Sequence, residues 1–133
     1  MAADSLIAAA RAAQANAHAP YSRYQVGAAL EAPDGRVFAG ANVESASFGV
    51  TICAERIALG AAVTQGVREF RRIVVVTHSE PPAAPCGACR QALAEFGLDL
   101  EVESVGPRSA RRWLLRELLP DAFLGADLHG EDE

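Results

Sequence analysis

The chain contains three cysteines, and all of them lie in two short motifs. The first is Cys53-Ala54-Glu55-Arg56 and the second is Pro85-Cys86-Gly87-Ala88-Cys89. If Cys86 begins a helix, Cys89 lies one turn later on the same face, so both thiolates can reach one ion. A second helix start at Cys53 would supply the third sulfur, because helix N-termini favour ionised thiols. The pattern predicts one Zn²⁺ per chain.

Three protein ligands leave the fourth position of zinc open, which distinguishes a catalytic site from a structural one. Water there can be activated at neutral pH. Glu55, two residues from a ligand, is predicted to be the catalytic residue that takes and returns protons. Arg56 lies three residues after Cys53 and Arg90 directly follows Cys89, and donors from either could stabilise the thiolate sulfurs.

Other readings of these residues exist. A Cys-x-x-Cys motif alone also occurs in redox pairs and structural zinc sites, but the upstream Cys-x-Glu favours catalysis here. His18, His78 and His129 lack ligand spacing, so we expect surface or core histidines. Asn42 and Glu44 point to one face at the end of a predicted strand, where they could hold sugar hydroxyls or serve as a turn residue and a solvated charge.

Helical and strand patterns alternate along the chain. The alanine-rich stretch from Ala8 to Ala19 predicts a helix that is capped by Asp4 or Ser5 and ended by Pro20. A hairpin is predicted around Pro33-Asp34-Gly35. Two further helices are expected, over residues 53–65 and 86–96. Strands are expected over 25–30, 36–42, 72–78 and 98–105, with 72–78 as the central strand. Residues 110–119 fit either one helix or a strand followed by a helical turn.

This alternation predicts an α/β fold, a three-layer α/β/α sandwich with a mixed sheet of about five strands covered by helices. Parallel neighbours are expected after each crossover. The length favours a single catalytic domain over residues 1–133.

The composition of the chain limits the classes of molecule that we expect it to bind. A formal charge of -5 provides no broad basic face for long nucleic acid, so a small or neutral ligand is favoured. No apolar stretch approaches the roughly 18 residues of a membrane span, and the first residues lack the basic flank of a signal peptide. We therefore expect a cytoplasmic protein without a membrane partner.

From about Pro20 through Leu128 the chain closely resembles the small homotetrameric cytidine deaminases. Zinc deaminases share a (His/Cys)-x-Glu motif followed by Pro-Cys-x-x-Cys. The matching stretches are Pro20-Tyr21-Ser22, Val26-Gly27-Ala28-Ala29-Leu30, Asn42-Val43-Glu44, Thr51-Ile52-Cys53-Ala54-Glu55-Arg56, Pro85-Cys86-Gly87-Ala88-Cys89-Arg90-Gln91 and Glu117-Leu118-Leu119-Pro120-Asp121-Ala122-Phe123.

The resemblance implies zinc-dependent hydrolysis of cytidine and deoxycytidine to uridine and deoxyuridine, with release of ammonia, in pyrimidine salvage. It implies that Asn42 and Glu44 hold the ribose and that Ala54 and Glu55 bind the pyrimidine edge. It also implies that Arg56 hydrogen-bonds the zinc thiolates.

The resemblance further implies a homotetramer with shared active sites. Phe123 would stack on the base in a neighbouring subunit, and Ala46 and Phe48 would line a neighbour's site. Three positions depart from the family. Tyr24, among the expected substrate contacts, replaces the usual Phe; Ser45 replaces Asn and Phe48 replaces Tyr.

Three other functions are compatible with parts of this sequence. A deaminase of a cytosine-bearing antibiotic such as blasticidin S would share the metal motif, but Asn42, Glu44 and Arg56 argue against it. A non-catalytic zinc-stabilised binding module would not need Glu55. A deaminase of polynucleotides would need basic residues near the pocket, whereas the segment after Glu44 is nearly uncharged.

Overall fold

The computed structural model describes residues 2–129, which form one five-stranded mixed sheet with helices on both faces. Its elements in chain order are α1 Ala2–Gln14, β1 Gly27–Glu31, β2 Val37–Ala41, a 3-10 turn Phe48–Val50, α2 Ala54–Thr64, β3 Arg72–Val76, α3 Gly87–Ala94, β4 Glu101–Val105, β5 Ala110–Leu114, α4 Leu115–Leu118 and α5 Gly125–His129. The strand order is β2-β1-β3-β4-β5. No helix within this part of the chain has the length and apolar character needed to cross a membrane.

Two apolar layers explain the three-layer arrangement. On one face of the sheet, Leu6 and Ala10 of α1 pack against Ala29, Val74 and Val76. The opposite face is covered by α2 and α3, whose buried side chains pack with alternate residues of the same strands; these are Ala28, Leu30, Ala54, Ala58, Leu59, Ala62, Ile73, Val75 and Leu93. Since β3 is covered on both faces, its continuous β-branched sequence fits its central position.

The expected order of elements agrees with the structure, with two corrections. Helix α1 begins at Ala2 and ends at Gln14, so Asp4 and Ser5 lie inside it and Pro20 does not end it. After Gln14 the backbone pairs with the end of β2 instead: the His18 N–H donates to Asn42 O at 3.0 Å, and the Glu44 N–H donates to His18 O at 2.8 Å. This long-range pairing outweighs the helix propensity of the alanines.

Strand directions give the second correction. β3 and β4 are parallel across α3, as expected, but the crossover through α2 leaves β3 antiparallel to β1. The crossover through α2 makes β3 parallel to β2, but β1, the hairpin partner of β2, lies between them and is antiparallel to both, so the two parallel strands are not neighbours. The open alternative at 110–119 resolves as strand β5 followed by the short helix α4.

Candidate active site

Two helix N-termini bring the cysteines together. Cys53 is the N-cap of α2 and Cys86 the N-cap of α3, and these helices flank β3 in the chain on the same face of the sheet. Cys89 follows in the first turn of α3 and is fully buried. An antiparallel bridge fixes Cys53 from the other side, because Val43 and Ile52 exchange backbone hydrogen bonds of 3.0 and 2.9 Å. The same bridge sets the end of β2 beside α2.

The sulfur positions fit zinc. All three Sγ atoms lie within 4.8 Å of one another, and those of Cys53 and Cys86 are 3.7 Å apart. With Zn–S bonds of about 2.3 Å, two sulfurs at corners of a tetrahedron lie about 3.8 Å apart. The donor set, three thiols at two helix N-termini, also matches the soft ligands that zinc accepts. The residues present therefore suit one zinc ion.

The sulfur cluster perturbs the acidity of its members. A hydrogen bond from Cys89 lowers the pKa of Cys53 to about 5, with a further contribution from Arg56. The same contact raises the pKa of the Cys89 thiol. One sulfur is thus readily ionised, which is the state in which cysteine binds a metal.

Glu55 lies in the first turn of α2 and only 5% of its surface is exposed. Burial raises the pKa of this carboxyl to about 7, and the charge on Cys53 adds to the effect. A carboxyl whose pKa lies near neutral pH can both accept and return a proton, which is what general acid–base catalysis requires. It also lines a cavity of about 220 Å³ that reaches Cys53 and Cys86.

That cavity gathers several of the predicted substrate contacts. Tyr24, Asn42 and Ala54 line it together with Glu55. Asn42 is buried, with only 8% of its surface exposed. Backbone groups orient its side chain: Oδ1 accepts the Val26 N–H at 2.9 Å, and Nδ2 donates to Tyr24 O at 2.8 Å. One N–H of the amide remains available to a ligand.

Glu44 and Phe48 lie beside this cavity in an adjoining groove of about 380 Å³, which also includes Tyr21 and Ser22. The carboxylate of Glu44 accepts backbone N–H bonds from Tyr21 and Ser22 at 3.0 and 3.1 Å. Its pKa is lowered below the usual range, chiefly by the hydroxyl of Ser22. Thr51 lines both spaces, so they are neighbours.

The two arginines differ in their contacts. Arg56 donates from Nη2 to Cys53 Sγ at 3.9 Å, and this contact raises the pKa of its guanidinium. Arg90 instead donates to two carbonyl oxygens, Pro85 O at 2.7 Å and Leu118 O at 2.8 Å. Arg90 thereby holds the loop before Cys86 rather than a sulfur.

The aromatic residues expected to serve a neighbouring subunit are at the surface. Phe48 is 74% exposed and Phe123 is 58% exposed, and Ala46 is exposed as well. Neither Phe48 nor Phe123 lines the cavity that contains Glu55. Both rings are thus accessible to another molecule.

Some cavity residues were not predicted from the sequence. Thr77, Ala83 and Ala84 also line the cavity. Thr77 directly follows β3, and α/β proteins bind ligands at the carboxyl ends of their strands. Its position after the predicted central strand could therefore have identified it as a cavity residue. The two alanines lie in an irregular segment whose path only the tertiary structure defines.

Comparison with known proteins agrees with this geometry. Residues 2–102 match the family model described as the cytidine and deoxycytidylate deaminase zinc-binding region. The chain is 45% identical to cytidine deaminase of Halalkalibacterium halodurans, over 93% of this chain and 96% of that one. It is 46% identical to probable cytidine deaminase of Dictyostelium discoideum, over 96% and 87%. The crystal structure of cytidine deaminase from Burkholderia pseudomallei superposes with a TM-score of 0.89 at 49% identity, covering 92% of this chain and 100% of that one.

Proposed function

The chain belongs to the cytidine and deoxycytidylate deaminase family, and on this premise we propose that it hydrolyses cytidine and deoxycytidine to uridine and deoxyuridine with release of ammonia. The observation that carries the proposal is the position of Glu55, buried in the cavity that also exposes two cysteine sulfurs. A structural zinc site does not require a buried carboxyl group with a pKa of about 7. This argues against a non-catalytic zinc-stabilised module.

The ligands of the proposed zinc ion are Cys53, Cys86 and Cys89, whose sulfurs lie within 4.8 Å of one another. A bound zinc ion supplies Lewis acidity, which activates water for attack at neutral pH.

Glu55 carries out the proton transfers. Its carboxylate accepts a proton from the attacking water and delivers it to the ring nitrogen of the pyrimidine. It then carries the second proton of that water from the new hydroxyl on the ring carbon to the amino group, so that the carbonyl forms as the carbon–nitrogen bond breaks and ammonia leaves. Ala54 and Glu55 bind the pyrimidine edge in this proposal. Arg56 stabilises the thiolates by its hydrogen bond to Cys53.

We assign binding of the substrate's sugar to Asn42 and Glu44, which follow the last residue of β2. Asn42 borders the cavity and Glu44 the adjoining groove, so an amide and a carboxylate lie along one continuous depression. These two residues and Arg56 favour a nucleoside over an antibiotic of the blasticidin S type. Tyr24 provides the aromatic wall.

The proposal includes a homotetramer with shared sites. Its support is the exposure of Phe48 and Phe123, which would close a neighbour's cavity together with Ala46. We also propose one catalytic domain over residues 1–133 and a role in pyrimidine salvage in the cytoplasm, where free cysteines remain reduced.

The test is ultraviolet absorbance of purified protein mixed with cytidine, deoxycytidine, cytosine, adenosine or blasticidin S. We expect turnover of the first two substrates and loss of turnover after zinc is removed by chelation. Turnover of blasticidin S alone would refute the nucleoside proposal. Absence of turnover with all five by a zinc-loaded protein would support a binding module.

A further inference from the structure

Tyr24 is the centre of a hydrogen-bond network at the cavity. Its ring lines the cavity, its carbonyl accepts Asn42 Nδ2 at 2.8 Å, and its N–H donates to Ser22 Oγ at 3.0 Å. Its phenolic hydroxyl is hydrogen-bonded to the hydroxyl of Ser79, which lies in the loop after β3, two residues beyond the cavity-lining Thr77. Tyr24 is therefore held at both its backbone and its side chain.

The network continues from Tyr24 to Glu44. The Ser22 hydroxyl donates to Glu44 Oε2, while the Ser22 N–H donates to Glu44 Oε1 at 3.1 Å. Both residues proposed to hold the sugar, Asn42 and Glu44, thus contact the segment 21–24 directly. A change in the position of Tyr24 would be transmitted to each of them.

The loop that carries Ser79 is firmly anchored. The Ser79 N–H donates to Thr77 Oγ1 at 3.1 Å. The next residue, Glu80, accepts the Arg108 N–H at 2.8 Å and the Ser109 hydroxyl at 2.7 Å. The backbones also pack closely, since a Cβ added to Gly106 would lie 2.3 Å from Ser79 O. Ser79 is therefore held against the connection between β4 and β5.

The segment 21–24, in contrast, is exposed at every residue. Arg23 adopts a φ of 61°, a left-handed conformation that a non-glycine side chain disfavours and that surrounding contacts must maintain. The hydroxyl of Tyr24 gives this segment its side-chain tether to the anchored loop.

We propose that Ser79 is a positioning residue for the sugar of the substrate. By holding the Tyr24 hydroxyl, it fixes the aromatic ring at the cavity and keeps Asn42 and Glu44 oriented. The inference rests on the proposed function. Because Glu55 and the cysteines lie on α2 and α3 and do not belong to this network, the contact serves substrate binding and leaves the chemical step unaltered.

The experiment compares Ser79→Ala, Tyr24→Phe and the double variant with wild type. One lost hydrogen bond should raise KM for cytidine and the inhibition constant of uridine by about threefold to tenfold, with kcat retained. Because both substitutions remove the same bond, the double variant should be no worse than either single one. Ser79→Thr, which keeps a hydroxyl, should restore most of the affinity.

Ser109→Ala is the matched control. It removes a serine hydroxyl that holds the same loop through Glu80 but spares the contact with Tyr24. A rise in KM equal to that of Ser79→Ala would mean that loosening of the loop, rather than the tether, is responsible, and would overturn the inference. So would additive effects in the double variant or an unchanged KM in Ser79→Ala. Failure of wild type itself to deaminate cytidine would instead refute the proposed function.

Discussion

The Sγ atoms of Cys53 and Cys86 lie 3.7 Å apart although 33 positions separate the two cysteines in the chain. The contact exists because each residue caps a helix that flanks the central strand on the same face of the sheet. The distance matches one edge of a tetrahedron of sulfurs around zinc. Assembly of the metal site and packing of α2 beside α3 are therefore coupled.

Replacement of Cys86 by Ala should remove zinc and stability together. Cys86 is exposed, so the substitution removes few packing contacts. A large loss of stability would therefore be due to the loss of zinc. We expect the free energy of unfolding to fall by more than about 3 kcal/mol, measured by urea denaturation alongside zinc analysis. Wild type treated with a chelator should show the same loss. A Cys86→Ala protein that is zinc-free yet as stable as untreated wild type would contradict the coupling.

Glu55→Gln should abolish turnover while zinc stays bound, because the carboxylate moves protons and is not a ligand. A loss of at least about 100-fold in kcat is expected. Burial raises the pKa of Glu55 to about 7, so its ionised form above pH 7 opposes folding, and any stabilisation by this group is lost as the pH rises through that value. The variant should thus be at least as stable as wild type at pH 8. Zinc analysis is the decisive measurement, because loss of zinc from the variant would indicate that Glu55 is a metal ligand.

Arg56→Gln should move the pH dependence of kcat upward by about one unit, since it removes a positive charge beside the three sulfurs. Arg90→Gln provides the comparison, because Arg90 donates to the carbonyls of Pro85 and Leu118. It should lower thermal stability and leave the pH profile in place. Identical pH profiles for wild type and Arg56→Gln would exclude a tuning role for Arg56.

Phe123→Ala should raise KM for cytidine about tenfold, the scale of one aromatic–base stacking contact, without loss of zinc. Leu128→Ala is a suitable control, because Leu128 is also apolar and exposed, at 72%, and has no proposed role at the site. Light scattering after size-exclusion chromatography should give a tetramer. A monomer with full activity would rule out shared sites.

Gly40→Ala should destabilise the fold where β2 meets α2. A Cβ at Gly40 would lie 2.5 Å from Ala58 N and 2.7 Å from Ala54 O, so α2 must shift; we expect a loss of about 1–3 kcal/mol and reduced kcat. Gly60, on the exposed side of the same helix, has no atom within 4 Å of such a Cβ. Gly60→Ala should stabilise by about 1 kcal/mol. Equal effects of the two substitutions in urea denaturation would refute this account.

Local sequence determined the chemistry and most of the elements. The spacing of Cys86 and Cys89 predicts two ligands on one helical turn, and the β-branched residues 73–76 predict the central strand, because both signals depend on neighbours in the chain. Strand spacing placed Asn42 and Glu44 on one face, and the resemblance favoured sugar binding over a turn residue and a solvated charge. Those roles stay predictions.

The tertiary structure alone decided how distant segments meet. Pairing of His18 with the end of β2 ends α1 early, which no local propensity reveals. Arg56 lies three residues after Cys53 and Arg90 directly after Cys89, yet Arg56 reaches a sulfur and Arg90 reaches two carbonyl oxygens. The contact between Tyr24 and Ser79 spans 55 positions. Such contacts depend on where the packed sheet places each loop, and packing sums over the whole chain rather than over any window of it.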